Sequence, residues 1–359
     1  MDKVRIEYID ALRGFTMLLV VMGHVEIFGF QLLDTPLLRI ISTFHVPLFF
    51  FLSGLMAYRA SSSWSGRFVR VLSQKIRQLL IPTILFGALF AILHERVSLQ
   101  TFITHPYKMG YWFTVALFQM FVMLYLINHL CWTINKRQMA VGGLCVTLLI
   151  CSSVLLYIAK IPAMRIPMIF NIANIGSWHC LFLYFQFFAF GLIFSHYKEK
   201  FIRTMNNTYI EAIGIILFLV LVYCRHELIS EHETSAVDIW KLLGTFMDTC
   251  GGYLGIIIVY HLFHKYQSHF TTASKLGACL QTIGRRTLDV YLLHWFFLST
   301  ILWLAQSCSL TKNLITEITA CIIIALSIIA CCLFISRVLR ASDFLAYWLF
   351  GAKRSESKQ

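Results

Sequence analysis

Charge is scarce in this chain. Only 13% of its 359 residues are Asp, Glu, Lys or Arg, against roughly a quarter in a soluble globular domain, and 58% are hydrophobic. That shortage excludes a soluble enzyme of ordinary composition. A disulfide framework is missing as well. The 11 cysteines are odd in number, and Cys145, Cys151, Cys250, Cys321, Cys331 and Cys332 lie inside apolar runs, where cysteine behaves as a small buried hydrophobe. No cysteine pair carries a histidine partner at zinc-ligand spacing, so no metal is expected. Loops long enough to hold a soluble catalytic domain are absent, as is any inverted or parallel repeat of the kind found in many transporters. Whatever the protein does, it does inside the membrane or at its edge.

What fills the chain instead is a series of apolar runs of transmembrane length. Ten spans are expected, at about 8–30, 40–58, 77–95, 111–133, 139–158, 171–194, 209–225, 239–262, 282–306 and 314–336. No small-residue cleavage site follows the first, which reads as a retained helix and not as a signal peptide. The stretch between the second and third spans carries Arg59, Arg67, Arg70, Lys75 and Arg77 with no acid, while the loop near Glu227, Glu231, Glu233 and Asp238 is acidic. By the positive-inside rule this asymmetry places both termini in the cytoplasm. It also accounts for the formal charge of +13 as a topology signal, with no nucleic acid partner implied. Residues 1–336 therefore read as one all-α transmembrane domain, and 337–359 as a cytoplasmic amphipathic tail along the interface.

Ionisable residues within a span cost about 2.5–3.5 kcal/mol each on insertion scales, so each asks for a function. In "YIDALRGFTMLLVVMGHVEIFGF" (Tyr8 to Phe30), Arg13 and His24 stand eleven positions apart. On an α-helix eleven steps return to within about 20° of the start and climb about 16 Å. Arginine and histidine thus share one face, and Asp10 lies where it can pair with Arg13 at i, i+3. The bland alternative is that Arg13 snorkels to headgroups and His24 is a hydrogen-bonded core histidine. Glu26 is left unassigned.

The second span, "FHVPLFFFLSGLMAY", combines His45, a bending Pro47, and Ser53 with Gly54, which admit a close neighbour. A packing notch explains these residues as well as a ligand site does. In "RFVRVLSQKIRQLLIP", Arg70 and Arg77 are seven apart with Lys75 beside them. Such a cluster usually sets topology, and it also suits phosphate, because guanidinium forks match its oxygens. "IGRRTLDVYLLHWFF" opens the ninth span with Asp289 and His294, five apart and so on different faces.

Taken in order, "IDALRGFTMLLVVMGH", "FHVPLFFFLSG", "RFVRVLSQKIRQLLIP", "YWFTVALF" and "IGRRTLDVYLLH" resemble the successive signatures of the membrane acyltransferase-3 family. Between about 140 and 270 the likeness rests on hydropathy and on "FFAFG", Phe187 to Gly191. The resemblance implies a ten-helix bundle that moves an acyl group, expected to be acetyl, from cytoplasmic acyl-CoA. The acceptor is a hydroxyl of a sugar in an extracytoplasmic glycan or its lipid-linked precursor. The resemblance implies the stand-alone form, without an appended esterase-like domain, in a bacterial cytoplasmic membrane.

By the same resemblance Arg13 and His24 form the catalytic core, with Asp10 beside Arg13. Phe50, Phe51, Ser53 and Gly54 match the second signature, and Arg70, Lys75 and Arg77 the basic stretch. Lys75 and a single Arg77 stand where many members carry denser arginine pairs. In the chemistry this implies, neutral His24 takes the proton of the attacking hydroxyl. Arg13, Arg70, Lys75 and Arg77 hold the CoA phosphates, and Ser53, His45 or His294 serves the oxyanion or the acceptor. Acylation of His24 itself is the alternative route. The partners expected are acyl-CoA, a carbohydrate or glycolipid acceptor and membrane lipids, with a homodimer as the expected oligomer. The rival reading is a proton-coupled transporter of an anionic or sugar substrate, with Arg13 and His24 lining the pathway. It is weakened by the missing repeats.

Overall fold

A computed structural model describes residues 5–61, 68–134, 167–229, 239–298 and 314–352. Every regular element among them is helical. In chain order these are α1 (Glu7–His24), a π-turn (Val25–Gly29), α2 (Pro36–Ser61), α3 (Phe68–Lys75), a second π-turn (Ile76–Leu80), α4 (Ile81–Leu93), α5 (Leu99–Thr104) and α6 (Trp112–Ile134). There follow α7 (Pro167–Gly176), α8 (Trp178–Met205), α9 (Thr208–Cys224), α10 (Ile239–Lys265), α11 (Lys275–Arg285), α12 (Thr287–Leu293), α13 (Leu314–Leu339) and α14 (Asp343–Phe350).

Seven stretches among the described residues are long and apolar enough to cross a membrane: Glu7–Gly29, Pro36–Ala57, Val69–Leu93, Trp178–Ser195, Thr208–Glu227, Leu243–Lys265 and Leu314–Leu339. They fall on seven of the ten expected spans. The expected fourth and ninth spans appear as shorter apolar helices, Trp112–Leu126 and Thr287–Leu298, and the fifth, 139–158, lies outside the described residues. Two boundaries differ from expectation for local reasons. The sixth span starts only at Trp178, because Ser177 takes a left-handed φ of 51° and separates α7 from α8. The ninth starts at Thr287, because Arg286 leaves helical geometry (φ −122°, ψ 24°) and cuts off α11.

The chain divides into two compact units. The first comprises Met1–Phe49 and Lys198–Ser336, the second Phe50–Tyr197 and Arg337–Gln359. In the first, α1 and α11 meet backbone to backbone. A Cβ added to Gly14 would stand 1.9 Å from the Leu280 carbonyl oxygen, and one added to Gly284 would stand 1.8 Å from that of Asp10. Only glycine permits this approach, and lipid-embedded helices use such contacts because hydrocarbon offers no hydrophobic drive between them. α11 is started by Ser274, whose hydroxyl accepts from the Gly277 N–H at 2.9 Å, an N-cap in the usual sense.

The second unit uses the same device between α2 and α8. A Cβ on Gly54 would stand 2.0 Å from the Phe188 carbonyl oxygen, and one on Gly191 2.1 Å from that of Phe51. The two segments "FFFLSG" and "FFAFG" are therefore the two sides of one helix contact, with Phe50, Phe51 and Phe188 fully buried. Elsewhere in this unit, Lys108 is buried. Its ammonium donates to the carbonyl oxygens of Ile103, His105 and Asn174 at 2.7, 2.8 and 2.7 Å. It thereby tethers the end of α5 to α7. In the tail, α14 packs on α4: Phe350 faces Phe86 at 5.8 Å, and the Arg77 guanidinium lies 4.2 Å above the Tyr347 ring. The tail helix, expected along the membrane interface, thus has a protein partner in α4.

Gly284→Val should destabilise the purified protein by at least about 1–3 kcal/mol, the usual range for forced overpacking, read as a lower midpoint of unfolding in mixed detergent micelles. A wild-type midpoint would contradict the contact of Gly14 and Gly284.

Candidate active site

The first unit gathers its polar side chains along one face of α1. α1 runs unbroken from Glu7 to His24, so Arg13 and His24 do share a face, and both reach toward α12. The Arg13 guanidinium donates to the Thr287 hydroxyl at 2.9 Å. His24 meets His294 through Nδ1 and Nε2 at 2.9 Å. Thr287 and His294 are seven residues apart, two turns along one face, so α1 and α12 run alongside each other in the same direction through this region.

The histidine pair has defined hydrogen positions. His294 is fully buried, and its Nδ1 lies 3.0 Å from the Val290 carbonyl oxygen. A carbonyl only accepts, so Nδ1 carries the proton. A neutral imidazole has one N–H, which leaves the Nε2 of His294 as acceptor and makes His24 Nδ1 the donor between the rings. The Nε2 of His24 is then a bare lone pair with no hydrogen bond among the described residues. The ring planes differ by 7° and the centroids lie 5.1 Å apart. One ring radius at each end of a 2.9 Å bond accounts for that separation, so the rings meet edge to edge in a common plane. Trp295 packs 4.5 Å from His24 by ring centroid, and Phe28 closes the cluster at 5.8 Å from His24 and 5.5 Å from Trp295.

The ion pair expected between Asp10 and Arg13 is not formed. Asp10 binds Arg5 instead, with Arg285 at 3.7 Å. Two cations from outside the span take the carboxylate, and Arg13 turns to Thr287. Asp289, also buried, accepts from the Ser336 hydroxyl and lies 3.8 Å from Arg286. It braces the start of α12 and does not join the histidines.

Beyond His24 the helix widens into the π-turn Val25–Gly29, a feature that often accompanies function. It turns Glu26 fully inward. There the Thr35 hydroxyl donates to its carboxylate at 3.1 Å, while the other oxygen has no hydrogen-bond partner among the described residues. At the start of α2, Arg39 binds both oxygens of Asp34 on the preceding loop at 2.6 and 2.7 Å and also takes Glu227. The Arg39 guanidinium holds the Asp34 carboxyl below its ordinary value.

His45 on α2 donates from Nδ1 to the Ile41 carbonyl at 2.7 Å and lies within electrostatic reach of His24. In the neutral form neither His45 Nε2 nor His294 Nε2 has a hydrogen to offer an oxyanion. The other residues singled out by sequence belong to the second unit. Ser53 stands one residue before the glycine of the α2–α8 contact. Arg70 is exposed on α3. Lys75 places its ammonium 3.7 Å over the Phe121 ring, and Arg77 lies over Tyr347 with its Nε buried and without a hydrogen-bond partner among the described residues. Aromatic faces thus hold two of these three cations. Among the described residues no group of three or more His, Cys, Asp or Glu is placed to hold a metal.

A helical membrane protein with a histidine pair on the polar face of its first helix is the class this geometry defines. The chain belongs to the acyltransferase-3 family: the model of that family, described as an acyltransferase domain, matches residues 6–337. The protein is accordingly a membrane acyltransferase. Comparison with curated proteins and with solved structures gives no match.

Thr287, Trp295 and the bond between His24 and His294 were not foreseen from sequence. One signal was available: Thr287 and His294 are two turns apart, matching the polar face of α1, whereas the spacing that drew attention was that of Asp289 and His294. Arg13 and Thr287 should be coupled. Unfolding of Arg13→Met, Thr287→Val and the double variant in mixed micelles should give an interaction energy of about 1.5 kcal/mol, as for a hydrogen bond to a charged group. Strict additivity would contradict the bond.

Proposed function

We propose that this acyltransferase moves an acyl group, acetyl in the first instance, from acyl-CoA to a sugar hydroxyl of an extracytoplasmic glycan or its lipid-linked precursor. In this reading it works in the bacterial cytoplasmic membrane with both termini in the cytoplasm. The observation that carries the proposal is the half-buried His24, tied at Nδ1 and bare at Nε2. That is the arrangement a general base needs. Family membership favours acyl transfer over transport, and nothing in the histidine pair calls for a transport pathway.

In the proposed reaction the sugar hydroxyl oxygen attacks the thioester carbonyl carbon while His24 Nε2 takes its proton. The tetrahedral intermediate collapses with cleavage of the carbon–sulfur bond. The proton on His24 passes to the departing thiolate, leaving an ester and free CoA thiol. The thioester is already activated, so a neutral imidazole suffices as base. An oxyanion donor must then come from a group other than the neutral His45 and His294.

Arg13 uses one guanidinium nitrogen on Thr287 and has N–H groups left for a phosphate oxygen. In the second unit the Nε of Arg77 and the exposed Arg70 are proposed phosphate ligands, with Lys75 contributing charge. Asp10 acts through Arg5 and Arg285 and touches no substrate. No metal is assigned a part.

Purified protein in nanodiscs should consume acetyl-CoA in the presence of a glycan acceptor, and His24→Ala should slow this roughly a hundred- to ten-thousand-fold. Turnover that persists in His24→Ala would remove the base assignment. Arg70→Gln and Arg77→Gln should weaken CoA binding in a salt-sensitive manner. Affinities equal to wild type would remove them from the phosphate site.

A further inference from the structure

We infer that His294 is a positioning residue that fixes the tautomer of His24 and aims its Nε2 lone pair, through a relay that begins at the Val290 backbone carbonyl. The inference rests on the reading of His24 as the base and adds a residue whose role lies behind it.

The argument runs from the helix backbone outward. On α12 the ring of His294 folds back on its own preceding turn, so that both its backbone N–H (2.9 Å) and its Nδ1 (3.0 Å) point at the Val290 carbonyl oxygen. This carbonyl cannot change its role, and His294 is fully buried and cannot exchange partners with water. The Nδ1–H form of His294 follows. Its Nε2 lone pair lies in the plane of the ring, and the near-coplanar edge-to-edge arrangement aims it along the Nδ1–H of His24 at 2.9 Å. Trp295 packs against both rings, at 4.5 and 5.0 Å by centroid, which prevents either from turning over.

The arrangement has the logic of a base oriented by a second group, in which the wrong tautomer is inactive although the geometry is intact. It differs in one respect. The orienting group is a neutral ring and brings no charge into the membrane interior, where a carboxylate would be costly. It also allows the positive charge on His24, once it has taken the substrate proton, to be shared across the short bond with His294.

The test uses two substitutions that divide the histidine between them. In His294→Gln the side-chain amide carbonyl reaches the place of Nε2 and can accept from His24. In His294→Asn the amide reaches the place of Nδ1, can satisfy Val290, and leaves His24 Nδ1 without its acceptor. Full-length protein labelled with nitrogen-15 histidine is examined in nanodiscs, with the His24 signals assigned by their loss in His24→Gln. Wild-type His24 should show a protonated Nδ1 and an unprotonated Nε2.

His294→Asn should shift His24 toward a mixture of tautomers and lower kcat for thioester turnover roughly ten- to a thousand-fold, with KM for acyl-CoA unchanged. His294→Gln should recover the wild-type spectrum and most of the lost rate. A role in packing alone would not distinguish the two amides, and equal rates and spectra for them would overturn the inference. So would a wild-type His24 protonated at Nε2. Absence of thioester turnover in the wild-type protein would overturn the proposed function alone, because the nitrogen spectrum decides the tautomer without it.

Discussion

The backbone contact of Gly14 on α1 with Gly284 on α11 sets how α1 meets α11 and the helix that follows it. Added side-chain atoms would meet carbonyl oxygens at under 2 Å on both helices, so the crossing point is fixed to the residue. α1 can then take only one rotation against α11 and the α12 that follows it. At that rotation Arg13 meets Thr287 and His24 meets His294. The break at Arg286 lets α12 leave the direction of α11 directly after the crossing, which carries His294 up alongside α1. A polar site inside hydrocarbon is costly wherever it is imperfect, and a contact between two glycines supplies the needed precision without adding polar groups.

The site follows the same economy. Several ionisable groups packed around α1 are answered locally or avoid charge altogether, with the half-satisfied Glu26 as the exception. Asp10 is answered by Arg5 and Arg285, Arg39 by Asp34 and Glu227, and Arg13 leans on a hydroxyl. The histidines are paired with each other and with a backbone carbonyl, a chain that needs no ion. In the proposed mechanism the orientation that a carboxylate gives a catalytic imidazole elsewhere comes from a helix carbonyl through a second ring.

Helix content and most of the spans were legible in the sequence, because a transmembrane run is a property of composition over many residues. The shared face of Arg13 and His24 was legible for a similar reason, since helical periodicity alone dictates it. Partners were not. Asp10 lies at the right spacing for Arg13, yet Arg5 and Arg285 take it, and that outcome depends on which cations the fold brings near. His294 was singled out as a membrane histidine needing a partner, but its distance in sequence from His24 hid the pairing. The fault at Arg286 was invisible to hydropathy, which ran the ninth span straight through it. For "FFFLSG" the sequence leaves a packing notch and a ligand site equally open, and the structure shows it and "FFAFG" as two halves of one packing contact.

The central claim is that a thioester is presented to the bare nitrogen of His24. A structure determined with a non-hydrolysable thioether analogue of acetyl-CoA tests it most directly. The acyl end should lie beside His24 Nε2, with room for one hydroxyl between the carbonyl carbon and that nitrogen, and the bond to His294 should be kept. An analogue bound with its acyl end away from His24, or a histidine pair that has come apart to bind it, would contradict the assignment.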